Sequence, residues 1–138
     1  MAKVKMSTPL PVSADQVWKL IGGFHALPDW HPAVQKSELA DGGRVRRLQL
    51  MGGASLVERM ESFDDNDHVY TYTLEKGALP VANYKSTVRV RNEEGKEGCV
   101  VEWSGDFVPA GVPENDAVAT MQGIYQAGLD NLRKLFNV

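Results

Sequence analysis

The sequence predicts an α+β fold: a curved antiparallel sheet of about seven strands wrapped around one long C-terminal helix, with two short helices after the first strand. Three observations lead there. From about Gln35 to Pro109 the apolar residues alternate as in strands, and from Pro113 to Phe136 they recur at helical spacing. The segments between the strands are short and polar, which implies antiparallel neighbours. One helix must then cover a large sheet, and its expected sheet-facing side carries the small residues Ala117, Gly123, Ala127 and Gly128. A sheet wrapped around so slender a helix is expected to leave a hollow, and hollows bind ligands.

Each element has its own signal. Ala2 to Pro11 reads as a first strand. Ser13 is a helix N-cap, with Asp15 favourably placed in the first turn, and Val17, Leu20, Ile21 and Phe24 follow helical spacing up to the break at Gly22-Gly23. Pro28 and Pro32 leave room for one short turn around Asp29-Trp30-His31. The period then changes to two. Arg44 to Met51 and Leu56 to Phe63 flank Gly52-Gly53, and Asp64 to Asp67 makes the next turn. His68 to Glu75 places Tyr70, Tyr72 and Leu74 on one face, and Asn83 to Asn92 places Tyr84, Ser86, Val88 and Val90 together. Glu93 to Gly98 is a polar turn, and Cys99 to Val108 is the last strand. The closing helix carries a stripe of Val118, Met121, Ile124, Tyr125, Leu129, Leu132, Leu135 and Phe136.

Composition narrows the class. A chain of 138 residues, 43% hydrophobic and 24% charged, is expected to form a single domain over residues 1–138 with a core that needs no metal or disulfide. The formal net charge of -3 gives no reason to expect nucleic-acid binding. The single cysteine, Cys99, excludes an intramolecular disulfide. Met1 to Met6 lack the apolar core of a signal peptide and no run reaches the ~20 apolar residues of a membrane span, so a cytoplasmic protein without stable membrane insertion is expected, monomeric or weakly dimeric.

Among candidate functional residues Glu58 stands out. It shares parity with Leu56 and Met60, so the apolar face of its strand takes a carboxylate inward, and Arg46, in parity with Leu48 and Leu50, is its natural partner. The pair reads as a polar anchor or a structural bridge, with acid–base chemistry as the sharper option. Tyr72 and Tyr84 can each turn a ring and a hydroxyl to a cavity. Ser86 shares that face but has no histidine beside it, so it is not read as a nucleophile. Met51, Leu79, Met121 and Ile124 are expected to add apolar area. The spacing of His25, His31 and His68 matches no metal motif, and no cofactor is expected; His31 is a candidate pocket acid or base at one end of the cavity. In the last strand either Trp103 or Glu102 faces inward, and a bulge near Gly105 would reconcile the two.

Four strings carry a family resemblance: Trp30-His31-Pro32, Val57-Glu58-Arg59-Met60-Glu61 with Asp64-Asp65, Asn83-Tyr84-Lys85-Ser86, and Val101-Glu102-Trp103-Ser104-Gly105. In this order and spacing the chain resembles, nearly end to end, the START-like (SRPBCC, helix-grip, Bet v 1-like) superfamily, and within it the polyketide cyclase/dehydrase and lipid-transport group. The resemblance implies a small hydrophobic or amphipathic ligand, bound or carried, and alternatively a cyclase or dehydratase activity. Plant abscisic-acid receptors share the fold. By that likeness Met51-Gly52-Gly53-Ala54 corresponds to their gate loop and Gly77-Ala78-Leu79-Pro80 to their latch. Glu58, Tyr72, Tyr84, Ser86 and Glu102 fall on pocket-facing positions, with Ile124 on the helix that closes the cavity. The receptors' hormone-binding lysine is replaced by Pro32 and their latch His-Arg pair by Leu79-Pro80. The likeness therefore carries over a ligand pocket and not a hormone-receptor function.

Overall fold

Alternation along Ala2–Leu10 (β1) buries Ala2, Val4, Thr8 and Leu10 and leaves both lysines outside. Ser13 then caps Ala14–Ile21 (α1), its hydroxyl accepting from the Gln16 amide at 3.2 Å, and Gly22 closes the helix. Phe24, expected in line with that helix, lies beyond its cap and is buried on its own account. Pro28 starts the single turn Leu27–Trp30 (α2). The computed structural model describes residues 1–93 and 97–138. Part of the expected turn Glu93 to Gly98 lies outside the described residues.

The remaining strands are Val34–Ala40 (β2), Val45–Leu50 (β3), Ser55–Asp64 (β4), Val69–Gly77 (β5), Val81–Asn92 (β6) and Cys99–Pro109 (β7), with a 3-10 turn at Asp41–Gly43 between β2 and β3. All pairs are antiparallel, and the sheet order is β1-β7-β6-β5-β4-β3-β2. β1 and β2 are the two edges, and β1 pairs with β7, so the first and last strands lie side by side. Between β4 and β5 the Asp64 carboxylate accepts from the amides of Asn66 and Asp67, both at 3.0 Å, which fixes the expected acidic turn. His68 follows it, stacked on Trp18 and 3.2 Å from Asp15.

The last helix, Glu114–Leu135 (α3), buries Ala117, Met121, Tyr125, Gly128, Leu129 and Leu132. Fully burying each large apolar side chain in that row contributes about 1.5–3 kcal/mol. Two expectations are corrected. Gly123 lies on the exposed side with open space around it, because the turn angle of a helix carries it away from the row through Ala117, Met121 and Gly128. Leu135, at the fraying end, is 47% exposed. The sheet-facing row therefore carries a tyrosine at its middle and is less slender than its glycines suggested. None of the helices among the described residues is long and apolar enough to cross a membrane.

Candidate functional site

Strand parity decides which side chains reach the interior. In β3 and β4 Arg46 and Glu58 are direct cross-strand partners, flanked inward by Leu48 and Leu56. Arg46 is fully buried and Glu58 is 4% exposed. The guanidinium donates from Nε to Glu58 Oε1 at 2.8 Å and from Nη1 to the Phe24 carbonyl at 3.1 Å. Nη2 also lies 2.8 Å from Oε1, at an angle that makes no second hydrogen bond. Its flat face is covered by the rings of Phe24 and Tyr72, 4.4 and 4.6 Å from the guanidinium carbon. Burial pushes the Glu58 carboxyl up from its ordinary value, and Arg46 pulls against that shift. Among the described residues no hydrogen bond reaches Glu58 Oε2.

That second oxygen matters because Glu58 lines a cavity of about 60 Å³ between the sheet and the N-terminal half of α3. Leu48, Leu56, Tyr72 and Tyr84 form its sheet wall; Met121, Ile124 and Leu79 face them; Leu27, His31 and Val34 close one end. The loop from Met51 to Ala54 stands at the rim, tied down by Met51 N donating to the Ala33 carbonyl at 2.9 Å. Gly77 begins the other rim loop with φ 150°, and a side chain there would collide with Leu56.

Beyond the cavity the interior is filled by aromatic rings. Trp103 stacks on Tyr125 with centroids 4.4 Å apart and packs against Trp30 at 5.3 Å. Gly128 makes this possible, since a Cβ there would stand 2.8 Å from the His31 ring and 3.0 Å from each of Trp30 and Trp103. The small residue thus admits three rings, two of which, His31 and Trp103, also border the cavity.

The hydroxyls in this region form one directed chain. Ser86 Oγ donates to the Ser104 carbonyl at 2.8 Å, so Tyr125, 3.2 Å away, must donate to Ser86 and in turn accept from Tyr84. Trp103 Nε1 donates to Ser86 Oγ at 3.0 Å and to the Tyr72 hydroxyl at 3.1 Å. Desolvation pushes the Tyr125 hydroxyl up to about 12 and those of Tyr72 and Tyr84 well above their ordinary value, so all three stay neutral.

His31 is held at both nitrogens. Nε2 lies 2.7 Å from the Ile124 carbonyl, which can only accept, so Nε2 carries the proton; the Ala33 amide donates to Nδ1 at 3.1 Å. Desolvation lowers its pKa, with the Ile124 bond pulling the other way. His31 therefore fastens the α2 turn to α3, helped by Asn131 Nδ2 donating to the Trp30 carbonyl at 2.9 Å.

Of the sequence candidates, the structure brings Glu58, Tyr72, Tyr84, Leu79, Met121, Ile124 and His31 together around the cavity. Three fall elsewhere. Ser86 is buried in the hydroxyl chain behind the wall. Met51 is 62% exposed, pointing away from the cavity because Gly52 and Gly53 turn the loop outward. Glu102 lies on the outer face, where it pairs with Lys5 at 3.6 Å and Arg91 at 3.2 Å, and Trp103 takes the inward place. No bulge interrupts β7 at Gly105. The register shift sits opposite, between Ala82 and Lys85 of β6, where Asn83 takes a positive φ of 52°. Trp103 takes the inward place that hydrophobic alternation favoured, while Phe24 and Tyr125, read only as members of helical stripes, are contributors whose site role was not singled out. The aromatic just past the Gly22-Gly23 break was the available signal for Phe24.

Comparison with known proteins agrees with this architecture. The protein XoxI from Bacillus cereus is 42% identical, superposes with a TM-score of 0.96, and the match covers 99% of this chain and 96% of that one. The Zhui aromatase/cyclase from Streptomyces sp. R1128 superposes with a TM-score of 0.78 over 99% of this chain and 93% of its own, but at 18% identity that likeness shows the fold alone. Among curated proteins the abscisic acid receptor PYL6 of Arabidopsis thaliana is 31% identical over 91% of this chain, which spans 63% of the receptor's length. A family model described as polyketide cyclase / dehydrase and lipid transport matches residues 1–137. The chain, with its seven-stranded antiparallel sheet gripping a long C-terminal helix, belongs to that family.

Proposed function

We propose that the protein binds a small, mostly apolar molecule in the cavity between the sheet and α3. One observation carries this reading: a buried carboxylate, held by Arg46 at one oxygen and with no hydrogen bond at the other among the described residues, lines a cavity walled by leucines, tyrosines and the flank of α3. Such a group is costly to bury and gains from a partner, which a bound molecule supplies. A cavity of about 60 Å³ corresponds to roughly two waters at liquid density and is smaller than the ~150 Å³ of a cavity that admits benzene, so a ring enters only as the surrounding side chains and rim loops give way. Burial contributes roughly 25 cal/mol per Å² of apolar ligand surface, enough for weak binding without further contacts.

The alternative of cyclase or dehydratase chemistry draws less support. A proton-moving group must be free to take and return its proton. His31 has both nitrogens engaged, the Tyr72, Tyr84 and Tyr125 hydroxyls resist ionisation, and Glu58 is locked to a guanidinium. Nothing of the plant receptor's own ligand is carried over.

Mass spectrometry under non-denaturing conditions, on gently purified protein, tests the reading. The expected result is a small-molecule mass increment that is lost on denaturation. Bare protein, together with no thermal stabilisation by millimolar toluene, would overturn it.

A further inference from the structure

Head-group selectivity at this cavity follows from where the charges and protons are, and it rests on the binding reading above. Among the described residues, Glu58 is the one formal charge in the cavity lining; no lysine or arginine reaches it. Arg46 is absent from the lining: Nε and Nη1 donate to Oε1 and the Phe24 carbonyl, Nη2 is buried beside Oε1 without a hydrogen bond, and the flat face is covered by rings. His31 faces the cavity with neither nitrogen available. Trp103 spends its one N–H on Tyr72 and Ser86, and Tyr84 donates into the Tyr125–Ser86 chain.

Two polar functions are left for a guest. Glu58 Oε2 is an uncommitted acceptor, and the Tyr72 hydroxyl, which accepts from Trp103, keeps its own proton with no partner among the described residues. A neutral guest hydroxyl or N–H gives its proton to Oε2 and meets no opposing charge. A carboxylate meets the Glu58 carboxylate at close range among buried, mostly apolar walls, with one neutral O–H against it. An ammonium gains Glu58, but Arg46 already balances that charge, so a net buried cation results.

We propose that the cavity selects a small neutral ligand through one O–H or N–H donated to Glu58 Oε2, and rejects carboxylates of the same size.

The test is an NMR chemical-shift titration of the full chain at pH 7 with toluene, phenol, anisole and benzoate. Toluene reports whether the cavity opens to a ring at all. Phenol and anisole differ in whether the oxygen carries a proton, and benzoate adds the negative charge. Phenol is expected to bind about tenfold tighter than anisole and about tenfold or more tighter than benzoate. Toluene binding with anisole equal to phenol, or with benzoate equal to or tighter than phenol, would overturn the head-group inference while leaving the cavity reading in place. Failure of all four to shift cavity resonances at millimolar concentration would overturn both. The paired variant Arg46→Met/Glu58→Leu removes both charges together. It is expected to bring phenol and anisole within about twofold of each other; retention of the tenfold preference would count against Glu58 as the acceptor. Should that variant not fold, the wild-type series still decides.

Discussion

The two ends of the interior are built from similar residues and behave differently. Around Trp103, Tyr125 and Gly128 the rings pack face to face, and each hydroxyl passes its proton to the next until the chain ends on the Ser104 carbonyl. Around Glu58 aliphatic side chains share the walls with the rings of Tyr72 and Tyr84, and the carboxylate keeps one oxygen without a hydrogen bond among the described residues. The first end is closed by packed rings around a partnered hydroxyl chain, with the buried Trp30 Nε1 left without a hydrogen bond; the second is open around a carboxylate oxygen that also has none among the described residues. A small residue on a helix is thus no measure of empty space. At Gly128 it lets three rings converge, whereas the hollow lies a turn or more away beside Met121 and Ile124.

The sharpest way to break this comparison is at the charged pair. Arg46→Ala strands Glu58 without its cation and is expected to cost about 3–5 kcal/mol in denaturant unfolding. A loss below about 1 kcal/mol would mean that the pair is not what holds the wall. Next comes the packed end. Gly128→Ala drives a methyl into the His31, Trp30 and Trp103 rings and is expected to cost about 1–3 kcal/mol. Gly123→Ala, on the open side of the same helix, is expected to stabilise by about 0.5–1 kcal/mol. Equal effects at the two glycines would erase the distinction drawn between the faces of α3.

Two milder tests sharpen it. The His31 pKa is lowered in the folded chain, so the unfolded chain takes up the proton first as pH falls. Stability is therefore fully present above about pH 6.5 and declines below it until the folded-state value is reached, by at most about 1.4 kcal/mol per pH unit from this group. The difference in unfolding free energy between wild type and His31→Gln, followed from pH 7.5 to 5, should shrink with acid. A constant difference would remove His31 from the pH response. Tyr125→Phe takes one member out of the hydroxyl chain and is expected to cost about 1 kcal/mol in denaturant unfolding; no loss would mean that the chain does not hold that end together.

Much of the fold was legible along the chain because its signals are local. Ser13 caps α1 by reaching its own next turn, and Tyr84, Ser86, Val88 and Val90 share a face because strands have a period of two. The Arg46–Glu58 pair was readable for the same reason, parity on neighbouring strands. Glu102 and Trp103 were not separable, because the question turned on where a bulge lay. An asparagine at position 83 of the neighbouring strand took the bulge, leaving the parity of β7 unbroken.

By itself, then, the sequence determined the order of elements, the inward faces of most strands and the presence of a buried carboxylate beside an arginine, all of them matters of spacing within or between adjacent segments. Only the tertiary structure decided where the interior is full and where it is hollow. Packing depends on rings contributed by α2, β7 and α3 meeting at one point, and on which of their protons are already committed. Neither quantity is carried by any single stretch of chain.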